Sequence, residues 1–192
     1  MALFKGVVTV FLESIMKKIF VYLCCAVFFI LLPACDRGIE NKEKASVRSA
    51  AISEASKIPH FALPAAIDGT LIDSDEYDGR VRLINFFATW CPPCLEEVPT
   101  LIELDNKYND KGFSVIGLSV DQGGREVVKK FVEKMKIHYS VLMADEAVSD
   151  AFGGVSGIPV SFLVARDGTM MRKYFGYVDH KVLEKDIKEL LP

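Results

Sequence analysis

The 192-residue chain is 51% hydrophobic and 26% charged, a globular balance that excludes a disordered protein. Its formal net charge of −3, with no basic cluster to reverse it, excludes a nucleic-acid partner. The length fits one domain of roughly 100–200 residues with extra sequence at one end.

That extra sequence is N-terminal. Lys17 and Lys18 precede an unbroken apolar run over 19–32, and Leu32-Pro33-Ala34-Cys35 is followed at once by Asp36 and Arg37. A positive start, a short apolar stretch and a small residue at the cut predict a secretory signal peptide over 1–34. The run falls short of the about 20 apolar residues that span a bilayer, so a membrane-spanning helix is the weaker alternative. Met16 is a more natural start than Met1, because it places both lysines at the terminus. Leu32 to Cys35 resembles a bacterial lipobox, which implies that Cys35 is lipidated and becomes the first mature residue. An ordinary signal peptide cut nearby stays open. Residues 35–57 are polar, mixed in charge and rich in Ser and Ala, and predict a flexible tether. The folded domain is expected over 58–192.

Within the domain, Phe61, Leu63 and Ile67, then Leu71 and Ile72, flank Asp68-Gly69 and predict a β-hairpin. Asp78-Gly79 turns into an unbroken apolar strand over 81–87, buried on both faces. A helix over 94–108 follows, with Val98, Leu101, Ile102 and Tyr108 inward and a kink expected at Pro99. A second buried strand is predicted over 113–120. A helix over 125–136 turns Val128, Phe131, Val132 and Met135 inward. A short strand over 139–142 and a short helix over 146–152 come next. Strands over 160–164 and 169–175 pair through Asp167-Gly168. Val182, Leu183, Ile187, Leu190 and Leu191 mark a closing helix. This order predicts an α/β fold, a central mixed sheet flanked by helices, with an N-terminal hairpin extension.

The five cysteines divide by position. Cys24 and Cys25 lie in the signal peptide and Cys35 at its cut, which leaves Cys91 and Cys94 as the domain's thiols. Two cysteines separated by two residues, where a strand meets a helix, predict a thiol–disulfide redox site. No third or fourth ligand completes a zinc set. His60, His138 and His180 fall on unrelated elements, so no metal is expected, and nothing calls for a cofactor.

Trp90-Cys91-Pro92-Pro93-Cys94, the internal Pro99 and Gly157-Ile158-Pro159 before a strand resemble a thioredoxin fold. The wider set Ile58-Pro59-His60-Phe61-Ala62-Leu63, Asn85-Phe86-Phe87-Ala88-Thr89-Trp90 and Glu97-Val98-Pro99 resembles the exported TlpA/ResA-like thiol–disulfide oxidoreductases, over residues 58–192. The resemblance implies reduction of protein disulfides outside the cytoplasm, often on apocytochrome c, with a membrane thiol carrier as electron donor. With lipid at Cys35, the enzyme would sit on the periplasmic side of a bacterial membrane. Asp36 resembles an inner-membrane retention signal. Pro159 resembles the cis-proline that faces the cysteine pair in this fold. Ile158 would then offer backbone groups to a substrate segment, and Trp90 a half-exposed platform. Where cytoplasmic thioredoxins carry a buried aspartate, this chain has Asn85, which cannot take a proton.

Cys91 is expected at or just before the helix N-cap, where orphan N–H groups and the helix dipole stabilise a thiolate. It is the expected exposed, attacking sulfur, and Cys94 the more buried, resolving one. Pro92 and Pro93 remove two N–H donors from that site. The site should therefore lean reducing, nearer thioredoxin at about −270 mV than DsbA at about −120 mV. Glu97 lies about 60° around the helix from Cys94, and Glu96 about 160°. Glu97, where the TlpA/ResA-like family also has an acid, is expected to be partly buried, to point toward the groove near Pro159, and to relay the proton of Cys94. A DsbA-like oxidase, a thiol peroxidase and a metal-carrying CxxC protein stay as alternatives.

Overall fold

A computed structural model describes residues 56–192. The expected signal peptide, Met16, Cys35 and residues 36–55 of the expected tether lie outside the described residues. Two short strands, β1 (Ala62–Pro64) and β2 (Leu71–Asp73), pair antiparallel as the expected hairpin. Gly69 takes φ +81° in its turn, and the Asp68 carboxylate accepts the Thr70 N–H at 2.9 Å. Ser56 and Lys57 are already paired to the domain. The Ser56 carbonyl accepts from Met170 N, and Lys57 bridges Thr169.

The main sheet contains β3 (Val81–Phe87), β4 (Phe113–Ser119), β5 (Ser140–Met143), β6 (Val160–Val164) and β7 (Met170–Phe175), in the order β5-β4-β3-β6-β7. β3 runs parallel to β4, and β4 to β5; β6 is antiparallel to both β3 and β7. β3 and β4 are buried at every position, as their unbroken apolar runs require. Alternation sorts the β3 side chains between two cores. Leu83 and Phe87 face helices α1 (Pro92–Tyr108), α2 (Arg125–Met135) and α4 (His180–Leu190), through Val98, Leu101, Leu104, Val128, Leu183 and Ile187. Ile84 and Phe86 face the hairpin and helix α3 (Glu146–Ala151), where Phe152 packs 5.3 Å from Phe86 and 5.0 Å from Phe162. Gly117 of β4 leaves room on the helix side: a Cβ there would meet Phe87 Cε1 at 3.1 Å and Tyr139 at 3.4 Å.

Two details differ from the sequence pattern. α1 begins at Pro92, two residues ahead of the expected start, because the first helical positions need no N–H and suit proline. In α4 the buried stripe is Leu183, Asp186 and Ile187, while Val182 is exposed. Asp186 is buried among apolar neighbours because it accepts the Tyr174 hydroxyl at 2.7 Å and pairs with Arg172 at 3.0 Å. Among the described residues no helix is long and apolar enough to cross a membrane.

Candidate active site

The site is the corner between β3 and α1. Buried Asp121, just past β4, pins the approach. Its carboxylate accepts the Thr89 N–H at 2.9 Å, the Thr89 hydroxyl at 2.6 Å and the Ser119 hydroxyl at 2.9 Å. Cys91 N then donates to the Ala88 carbonyl. Cys91 itself is the N-cap of α1, with extended φ −90° and ψ 110°. Pro92 and Pro93 fill the next two positions, so Cys94 carries the only backbone N–H of the first three helical residues.

Cys91 and Cys94 are joined as a disulfide, Cα to Cα 5.3 Å. The expected exposure of the first sulfur does not hold in this oxidised form. Cys91 is 3% exposed and Cys94 2%. The cover is the loop before β6: Cys91 Sγ lies 3.7 Å from the Ile158 carbonyl oxygen, and the Ile158–Pro159 bond is cis. The Pro159 carbonyl is held by Gly176 N at 2.8 Å, which ties that loop to the end of β7. Trp90 stands out beside the pair, 67% exposed.

Glu97 is buried more deeply than its helical position suggested. It is 0% exposed, and it turns to the sheet rather than to an open groove. Its Oε2 accepts from Asn85 Nδ2 at 3.0 Å and its Oε1 from Val178 N at 3.2 Å. Asn85 Nδ2 also donates to Ser161 Oγ at 2.9 Å. Desolvation raises the Glu97 pKa from 4.5 to about 7, against the opposing pull of the Val178 and Asn85 hydrogen bonds. Burial, and then the Glu97 charge, also hold the Tyr139 hydroxyl above its ordinary range. Glu96, one residue earlier, is exposed, as the helix geometry requires.

Asn85, Ser161, Val178 and Asp121 complete the corner but were not singled out from the sequence as site residues. Asn85 was legible only as a missing acid, yet strand alternation already places it on the helix-facing side of β3 with Leu83 and Phe87. The three histidines lie on unrelated elements, as expected, and each has an acidic neighbour. Among the described residues, His60 meets Asp73 at 2.9 Å and Asp75 at 3.9 Å, with His60 and Asp75 exposed and Asp73 half-buried, and Asp73 also caps a short 3₁₀ turn over Ser74–Tyr77. His138 lies 3.5 Å from Asp105, and His180 3.3 Å from Glu103.

The Redoxin family model matches residues 53–191. The chain belongs to the Redoxin family. This Redoxin-family chain is 29% identical to the thiol-disulfide oxidoreductase ResA of Bacillus thuringiensis over 174 residues, 91% of the chain and 94% of that relative. With ResA of Bacillus cereus it shares 31% identity over 134 residues, 70% of the chain and 76% of that relative. In three dimensions it resembles a thiol:disulfide interchange protein from Chlorobium tepidum, with a TM-score of 0.66 and 29% identity. The match covers 73% of this chain and 99% of that one. The thioredoxin-like fold expected from the sequence is the fold observed, and this Redoxin-family member is a thiol–disulfide oxidoreductase.

Proposed function

We propose that the protein is a membrane-anchored, extracytoplasmic disulfide reductase for protein substrates such as apocytochrome c. The observation that carries this is Cys91 at the N-cap of α1, with prolines at the next two positions and the Ile158–Pro159 loop against its sulfur. In the reduced enzyme the Cys91 thiolate attacks one sulfur of a substrate disulfide. That bond breaks, the other substrate sulfur leaves as a thiolate, and a mixed disulfide forms. The Cys94 thiolate then attacks Cys91, which regenerates the Cys91–Cys94 disulfide and releases the second substrate thiol. Two electrons have passed to the substrate, and a membrane thiol carrier returns two to the enzyme.

Glu97 takes the proton of Cys94 during resolution. A carboxyl with a pKa of about 7 is matched to proton transfer near neutral pH. Trp90 and the Ile158–Pro159 backbone receive the substrate segment on either side of the attacked sulfur. The reducing direction rests on the prolines: fewer N–H groups at the N-cap leave the thiolate less stabilised and the disulfide harder to form a stable dithiol from. The anchor is lipid on Cys35 after removal of residues 1–34, with residues 35–57 as tether.

Two measurements test this. Cys94→Ser should trap covalent complexes with substrate proteins, and Cys91→Ser should trap none and reduce nothing. The reduction potential should lie near about −270 mV; a value near about −120 mV would make the enzyme an oxidant instead.

A further inference from the structure

The end of the sheet remote from the disulfide holds a charge with too few partners. Arg82, the second residue of β3, is 2% exposed. Its Nη1 donates to Asp78 Oδ1 at 3.3 Å, while Nε and Nη2 are buried and have no acceptor among the described residues. Buried donors without acceptors keep their whole desolvation cost, and a buried cation with one long contact is poorly compensated. Nε and Nη2 together form the side edge of the guanidinium. Their parallel N–H groups match the two oxygens of a carboxylate.

A cavity of about 160 Å³ adjoins this residue, lined by Arg82, Lys57, His60, Asp78 and Gly168 among others. Its volume exceeds that of a single water and admits a small organic anion. Gly168 stands beside the unpaired edge, since a Cβ there would lie 3.4 Å from Nη2. The Lys57 stem passes the same point, 3.7 Å from that Cβ position. Lys57 is therefore the movable cover: its side chain is 60% exposed and its ammonium pairs with Asp167 at 3.0 Å.

Two of the remaining acids on the cavity are already matched: Asp78 meets Arg82 and Asp167 meets Lys57. Asp75 stands 3.9 Å from His60, whose ring pairs more closely with Asp73 at 2.9 Å. These three acids are largely exposed, so water and salt weaken their field. Their combined charge still opposes a dianion more than a monoanion. We propose that this pocket binds a small monocarboxylate, held side-on by Nε and Nη2 of Arg82, with the Lys57 side chain swung outward to admit it. Five residues of extended chain, about 16 Å, separate Arg82 from the end of β3 that leads to the disulfide. Occupancy should therefore leave disulfide reduction unchanged.

The test uses sodium acetate, with sodium chloride at matched ionic strength and inorganic phosphate at pH 8 as comparisons. Acetate should shift the Arg82 Nε–H and Gly168 amide resonances saturably, and phosphate should bind more weakly. Acetate at ten times its Kd should raise the folded-to-unfolded ratio about elevenfold. Arg82→Met should abolish that gain and keep the wild-type rate of disulfide reduction. An equal gain in Arg82→Met, a non-saturating drift at Arg82 Nε–H, or tighter binding of phosphate than of acetate would each overturn the proposal. Should Arg82→Met fail to fold, the titration of the wild-type Nε–H resonance decides alone.

Discussion

Glu97→Gln removes one titration from the interior while keeping side-chain size. The folded protein holds the Glu97 proton up to about pH 7, whereas the unfolded chain releases it near 4.5. Between those values the native state binds more protons than the unfolded state. Stability from this group is therefore fullest below 4.5, falls as pH rises to about 7, and is level beyond. The difference between 4.5 and about 7 corresponds to about 3 kcal/mol. The variant lacks this slope but carries a fixed cost. Both Glu97 oxygens face N–H donors, Asn85 Nδ2 and Val178 N, and an amide has one oxygen to offer. One donor is left unpaired, at about 1–3 kcal/mol whatever the pH.

The assay is urea unfolding of the disulfide form across about pH 4 to 8. At the acid end the variant should be the less stable protein, by the fixed cost alone. By the alkaline end its deficit should have closed or reversed, because only the wild type has lost the Glu97 contribution. Glu96→Gln, at an exposed position, should run parallel to wild type throughout. Parallel curves for Glu97→Gln and wild type would refute the buried, proton-holding carboxyl, and with it the proton relay to Cys94.

Asn85→Asp sets a second carboxyl 3.0 Å from Glu97, so the two should share a proton and titrate as a split pair, read by carboxyl NMR. Independent titration of both groups would count against the contact. Trp90→Ala should raise KM for a protein disulfide several-fold and leave the reduction potential unchanged. With Trp90 67% exposed, stability should move by no more than about 0.5 kcal/mol. Cys35→Ala should move the protein from the membrane fraction to the soluble one, since anchoring of this kind needs acyl chains; retention on the membrane would refute the lipid anchor.

The parts of the molecule legible in the sequence are those set by local rules. An unbroken apolar run made β3, and paired cysteines at its end marked the corner. The polar contacts around that corner depend on how α1 lies over the sheet. Strand parity turns Asn85 toward the helices, and helical spacing turns Glu97 toward the sheet, but neither states that the two meet. The meeting is fixed by packing at a distance, where Leu101 and Leu104 seat α1 against Leu83 and Val115 in one core. Val178, the second donor to Glu97, comes 81 residues later, and Ile158, against the Cys91 sulfur, 67 residues later. Those separations explain why the sequence pattern overstated the exposure of both groups. A residue's own element sets the direction of its side chain, whereas burial depends on what the rest of the chain lays over it. For Cys91 that cover is the Ile158–Pro159 loop, which a thiol that reduces the disulfide must displace or extend before it can reach the sulfur.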